Sequence, residues 1–176
     1  MSSGQVATSR VWTWVVAARE EDWDALYAEQ LPRVYNYFRY RVGPGATAED
    51  LTSITFEKAW RARHRYRRDL SAFSTWLYTV ARNVAVDHFR QRRPHVPLEL
   101  AADVPGGPTP EELAERGSDV ERLCRLVEAL PARERELLAL KYGAEMTNRA
   151  ITRVTGLSES NVGTILHRTI QQLRAG

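Results

Sequence analysis

The run Pro105-Gly106-Gly107-Pro108-Thr109-Pro110 limits what this chain can fold into more than any other stretch. Each proline lacks an amide hydrogen and fixes its own φ, and each glycine adds backbone freedom, so neither a helix nor a paired strand continues through it. Folded structure must therefore lie on either side. Neither side shows sustained apolar/polar alternation, while both carry apolar residues at helical spacing. The expected fold class is all-α: two small helical domains joined by a flexible linker, the C-terminal one containing a helix-turn-helix. A length of 176 residues suffices for two small domains, and 43% hydrophobic residues suffice for a packed core. The expected division is an N-terminal extension at 1–21, read as an extra turn or a disordered lead-in, a helical domain at 22–93, an acidic Pro/Gly linker at 94–118 and a second helical domain at 119–176.

In the first domain one helix is predicted from Asp22 to Val42, with Leu26, Leu31, Val34, Tyr35 and Phe38 on its apolar side. After the Gly43-Pro44-Gly45 turn, Thr47 and Asp50 have the spacing of a capping box, which places Thr47 at the N-cap of a second helix ending near Arg65. A third helix runs from about Phe73 to Gln91. In the second domain Leu123, Leu126, Val127 and Leu130 mark one amphipathic helix, and Pro131 starts another that stops at Gly143.

The segment from Thr147 to Leu173 is read as the helix-turn-helix. Thr147 and Ser158 are cap residues for its two helices, and Gly156 stands where the turn needs a positive φ. Ile151, Val154, Val162 and Ile165 supply the contacts between them. A cap at Ser158 puts Glu159, Ser160 and Asn161 in the first turn of the second helix, the part that enters a major groove. Asn161 suits adenine and Glu159 suits a cytosine amino group. Thr164 lies one turn further on the same face, and His167 and Arg168 suit phosphates.

The net charge of +3 hides a strong local asymmetry. Lys/Arg residues crowd the stretch from Arg61 to Arg93, whereas acids dominate from Glu99 to Arg122. A basic block beside an acidic one fits a polyanion-binding surface next to a segment that avoids it. Tyr66, Phe73, Trp76 and Tyr78 are interleaved with the arginines, as suits single-stranded nucleic acid: bases stack on rings while cations neutralise the backbone.

Other classes fit poorly. Cys124 is the only cysteine, which leaves no internal disulfide and no paired-cysteine zinc site. The apolar run from Val11 to Ala18 is far shorter than the roughly 20 residues a bilayer requires, so no membrane insertion is expected and the expected location is cytoplasmic. The histidines His64, His88, His95 and His167 are scattered, and no phosphate loop or nucleophile elbow is present. No catalysis, metal or cofactor is expected.

Two stretches of the first domain, Ala48 to Trp60 and Ala72 to Arg90, resemble region 2 of bacterial RNA polymerase sigma factors. Leu130 to Leu138 and Val162 to Arg168 resemble region 4. The class most resembled is the small extracytoplasmic-function (ECF) type, which keeps only these two regions. The resemblance implies a transcription initiation factor whose partners are core RNA polymerase, promoter DNA and an anti-sigma factor. It implies polymerase contacts at Asp50, Ser53, Ile54 and Glu57, on the helix after Gly45. It implies −10 contacts at Tyr66, Ala72, Phe73, Arg82, Asn83 and Arg90, and −35 contacts at Glu159, Ser160, Asn161, Thr164, His167 and Arg168. Gly163 and Ile165 stand where the family commonly carries basic residues. The competing expectation is a stand-alone helix-turn-helix regulator.

Overall fold

The computed structural model describes residues 7–67, 72–92 and 119–175, with side chains described from Trp23 and, after the gap, from Arg122. The 94–118 linker lies outside the described residues, as do Arg93 and the middle of the loop before Phe73. Every element among the described residues is helical.

Helix α1 spans Ala7–Val42 and so begins well before the expected Asp22. The sequence between Ala7 and Asp22 contains neither proline nor glycine, so nothing in it interrupts a helix. Pro32 lies inside α1 on an exposed position and removes one backbone bond without ending the helix. Packing on both sides of it, at Leu31 and Val34, holds the helix together. Helix α2 spans Ala46–Ala62 and continues into a short 3-10 turn, Arg63–Arg65. Its N-cap is Gly45 at φ 116, not Thr47. Gly45 reaches a region closed to residues with a Cβ, so the chain enters the helix directly after Pro44, and the Gly45 carbonyl accepts from the Ala48 and Glu49 amides. Thr47 is thereby placed inside the first turn, and the capping box with Asp50 does not form. Helix α3 spans Phe73–Arg92.

In the second half, α4 spans Asp119–Glu128 and α5 spans Ala132–Leu138. Helix α5 runs on into a π-helical turn, Ala139–Gly143, where the Ala144 amide donates to the Ala139 carbonyl at 2.9 Å. Helices α6, Asn148–Thr155, and α7, Glu159–Ala175, form the helix-turn-helix. Thr147 caps α6 by accepting the Ala150 amide at 3.2 Å. Ser158 caps α7 by accepting the Asn161 amide at 3.2 Å. Gly156 at φ 77 ends α6 and makes the turn.

The two halves are not held apart. Helix α1 packs against α2 and α3 on one side and against α5 and the π turn on the other. Val34, Tyr37, Phe38, Leu77, Leu137, Leu138 and Leu140 belong to one continuous buried cluster. The two expected helical domains share this core: the apolar faces of α1 and α5 would both be uncovered without each other.

The glycines of the helix-turn-helix give opposite expectations. Gly156→Ala forces a Cβ into left-handed backbone and should destabilise by roughly 1 kcal/mol. Gly163 sits inside α7 with an open Cβ position, its nearest neighbour being Asn148 Nδ2 at 3.7 Å, so Gly163→Ala should stabilise by up to about 1 kcal/mol. Urea unfolding of both variants checks the pair of signs.

Candidate nucleic-acid interface

Helix α7 sorts its residues by face. Val162, Leu166 and Thr169 are buried, and the Thr169 hydroxyl donates to the Ile165 carbonyl at 2.8 Å. Glu159, Ser160, Asn161, Thr164, His167 and Arg168 are all exposed. These are the residues expected to face duplex DNA, and the fold brings them together on one ridge. The ridge is held rigidly. Ile151 and Val154 of α6 are buried against α7, and Leu157 fills the corner between the helices. The Ser158 cap leaves the side chain of Asn161 free, because only its backbone amide is used.

The candidate single-strand site is more divided. Ala72, Asn83 and Arg90 are exposed. Tyr66 is half-buried, its ring 5.4 Å from Phe73 and 5.3 Å from Trp76, and burial raises its phenol pKa. Phe73 is only 7% exposed, wedged between Trp23, Tyr66 and Trp76. This corrects its placement among the DNA-facing residues: as the first residue of α3 it supports the aromatic cluster from below. Arg82 also departs from expectation. Its Nε donates to Glu136 Oε1 of α5 at 2.9 Å, so in this conformation its charge is spent within the protein. Arg90 is held by Asp87 at 3.2 Å on an exposed surface, a weak tie.

Beside this site the Arg63 guanidinium stacks over Trp60, 3.8 Å from the ring centroid, and Trp60 in turn meets Trp23 edge-on at 5.3 Å. Sequence analysis did not single out Trp60, yet 40% of it is exposed. Its position next to the basic turn was the available signal.

On the outer face of α2, Asp50, Ser53, Ile54 and Glu57 are exposed at helical spacing. The opposite face, Leu51, Thr52, Thr55, Phe56 and Ala59, is buried. Thr52 and Thr55 are accommodated there because their hydroxyls donate to the Ala48 and Leu51 carbonyls, at 2.7 and 2.8 Å. Ile54 is an exposed branched apolar side chain between acids and a hydroxyl. No cluster of metal-ligating side chains occurs among the described residues, and no helix there is long and apolar enough to cross a membrane.

Residues 26–95 match the family model for Sigma-70 region 2, and residues 121–173 match that for Sigma-70 region 4. RNA polymerase sigma factor CarQ of Myxococcus xanthus is 31% identical, over 88% of each chain. ECF RNA polymerase sigma factor BldN of Streptomyces coelicolor is 30% identical over 89% of this chain, which spans 61% of BldN's length. Among solved structures, the sigma factor RpoE of Bartonella quintana, determined in complex with the anti-sigma factor NepR, superposes with a TM-score of 0.68 at 20% identity, covering 88% of this chain and 96% of that one. Region 2 matches the half built from α1 to α3, region 4 the half that ends in the helix-turn-helix, and the chain belongs to the ECF family of RNA polymerase sigma factors.

Proposed function

We propose that this sigma factor, a transcription initiation factor that binds core RNA polymerase and directs it to promoters, divides the work between its two faces. The ridge Glu159, Ser160, Asn161, Thr164, His167 and Arg168 reads the −35 element as duplex. Ala72, Asn83, Arg90 and the half-buried Tyr66 engage the −10 element as it melts, with Arg82 joining once released from Glu136. Asp50, Ser53, Ile54 and Glu57 contact the polymerase. The observation that carries the reading is the α7 ridge: six residues suited to bases and phosphates are exposed together while the helix's other face is anchored.

The chemistry of the ridge is compatible with a modest intrinsic affinity. Glu159 is repelled by phosphate, and Gly163 and Ile165 offer no cation, so fewer phosphates are neutralised than a more basic helix would manage. Delivery by the polymerase supplies the remainder. The factor works in the cytoplasm as a specificity subunit and turns over no substrate of its own. An anti-sigma factor is proposed as a further partner, since RpoE of Bartonella quintana was solved with one.

Run-off transcription with core polymerase on a promoter library tests the whole reading: specific transcripts are expected, and their absence with folded protein would overturn it. Asn161→Ala should cost about 1–3 kcal/mol at a single −35 base pair, seen as relaxed specificity there; a uniform loss at every site would reassign the residue to structure. Asn83→Ala should lower open-complex formation, measured by permanganate reactivity, while leaving −35 duplex binding intact.

A further inference from the structure

Gly163 leaves a gap in the middle of the α7 ridge. Glu159 lies one turn before it and His167 one turn after, both exposed. A side chain at 163 would project between them, and glycine offers none. The gap is bordered instead by Asn148, the first residue of α6. Its Nδ2 lies 3.7 Å from the place a Gly163 Cβ would occupy, an ordinary van der Waals contact.

The two polar atoms of the Asn148 side chain meet different surroundings. The residue is half-buried, and its Oδ1 is sealed from solvent without a hydrogen-bond partner. Its Nδ2, on the Gly163 side, keeps access to solvent and donates to no group among the described residues. The helix makes no use of this side chain. Thr147 is the cap that accepts the Ala150 amide, and only the backbone carbonyl of Asn148 is engaged, accepting from the Thr152 hydroxyl at 3.1 Å. As a filler beside Gly163 an aliphatic side chain of similar size would serve better, because a buried amide oxygen without a partner is unfavourable. What asparagine adds is a donor held next to the ridge.

We propose that Asn148 is a further DNA contact, its Nδ2 donating to a phosphate oxygen of the duplex read by α7, in the place left open by Gly163. This rests on the reading of the ridge as the −35 reader. The sealed Oδ1 decides between base and backbone. Pairing with adenine takes both Oδ1 and Nδ2, whereas a phosphate oxygen needs only a donor. A neutral amide displaces no counterion, so the contact strengthens binding without steepening its dependence on salt. It is also indifferent to sequence, unlike that of Asn161 one turn into α7.

The full-length chain, assembled with core polymerase on promoters selected from the run-off library, tests this by titration at several KCl concentrations. Asn148→Ala should weaken binding about tenfold. The factor should be the same on promoters with different −35 bases, and the salt slope should not change. Gly163→Lys brings a cation to the same phosphate and should steepen the slope by about 0.9. Adding Asn148→Ala to Gly163→Lys should then cost nothing more, because the lysine has taken over the contact. Asn148→Asp secures the test against a folding defect: it keeps the shape, and an acid suits the first turn of a helix, yet it should weaken binding more than alanine does. Wild-type affinity in Asn148→Ala or Asn148→Asp would overturn the proposal. So would an unchanged slope in Gly163→Lys, or a full tenfold loss when the two substitutions are combined. Asn161→Ala on the same DNA separates the two levels. If it alters specificity while Asn148→Ala does nothing, only the Asn148 contact fails; if neither has an effect, the −35 reading of the ridge fails with it.

Discussion

Tyr37 has no exposed surface, and both halves of the molecule require it to have none. Its ring packs on Phe38 and Tyr78 within the first half, and its backbone receives the π turn of the second at the bare face of Gly143. Burying a phenol withdraws a hydroxyl from water, a cost that only extensive packing offsets. That packing comes from two directions: Val34, Phe38 and Leu77 on one side, Leu137, Leu138 and Leu140 on the other. Helix α1 is therefore the element about which the rest is arranged. Helices α2 and α3 take their places against one side of it, and the helix-turn-helix is carried by α5 against the other.

Away from that axis the structure becomes more local and more rigid in its details. The helix-turn-helix is fixed by two hydroxyl caps, one left-handed glycine and a handful of buried aliphatics, all within a short span. Each of these acts through the neighbouring turn and needs no distant partner. The single-strand side is different. Its aromatic floor joins residues from α1, α2, the following loop and α3, so its shape depends on tertiary packing. The surface proposed to read duplex is a local motif, and the one proposed to engage melted DNA is a tertiary one.

This contrast accounts for what was legible in the sequence. The caps at Thr147 and Ser158, the turn at Gly156 and the exposed ridge of α7 were all readable, because their causes lie within a few residues. The helical periods of α3 and α5 were readable for the same reason. Thr47 misled because a capping-box spacing competed with Gly45, whose accessible φ of 116 let the helix start two residues earlier than a threonine cap would have allowed. The burial of Phe73 beside Trp76 and the pairing of Arg82 with Glu136 were not legible, because both are facts of the tertiary fold. The docking of the halves had no sequence signal beyond Gly143, and that glycine reads equally well as an ordinary helix end.

The aromatic cluster has a practical consequence. All five tryptophans of the chain, from Trp12 to Trp76, belong to the half built on α1, α2 and α3, while the sole thiol, Cys124, belongs to the other. Trp60 lies beneath a guanidinium and Trp23 between Trp60 and Phe73, so both rings have their aromatic and cationic neighbours within that half. A maleimide acceptor on Cys124, which is partly accessible, supplies the complementary chromophore. The unaltered polypeptide thus contains a donor in one half and an attachment point in the other, a built-in optical ruler for the distance between them.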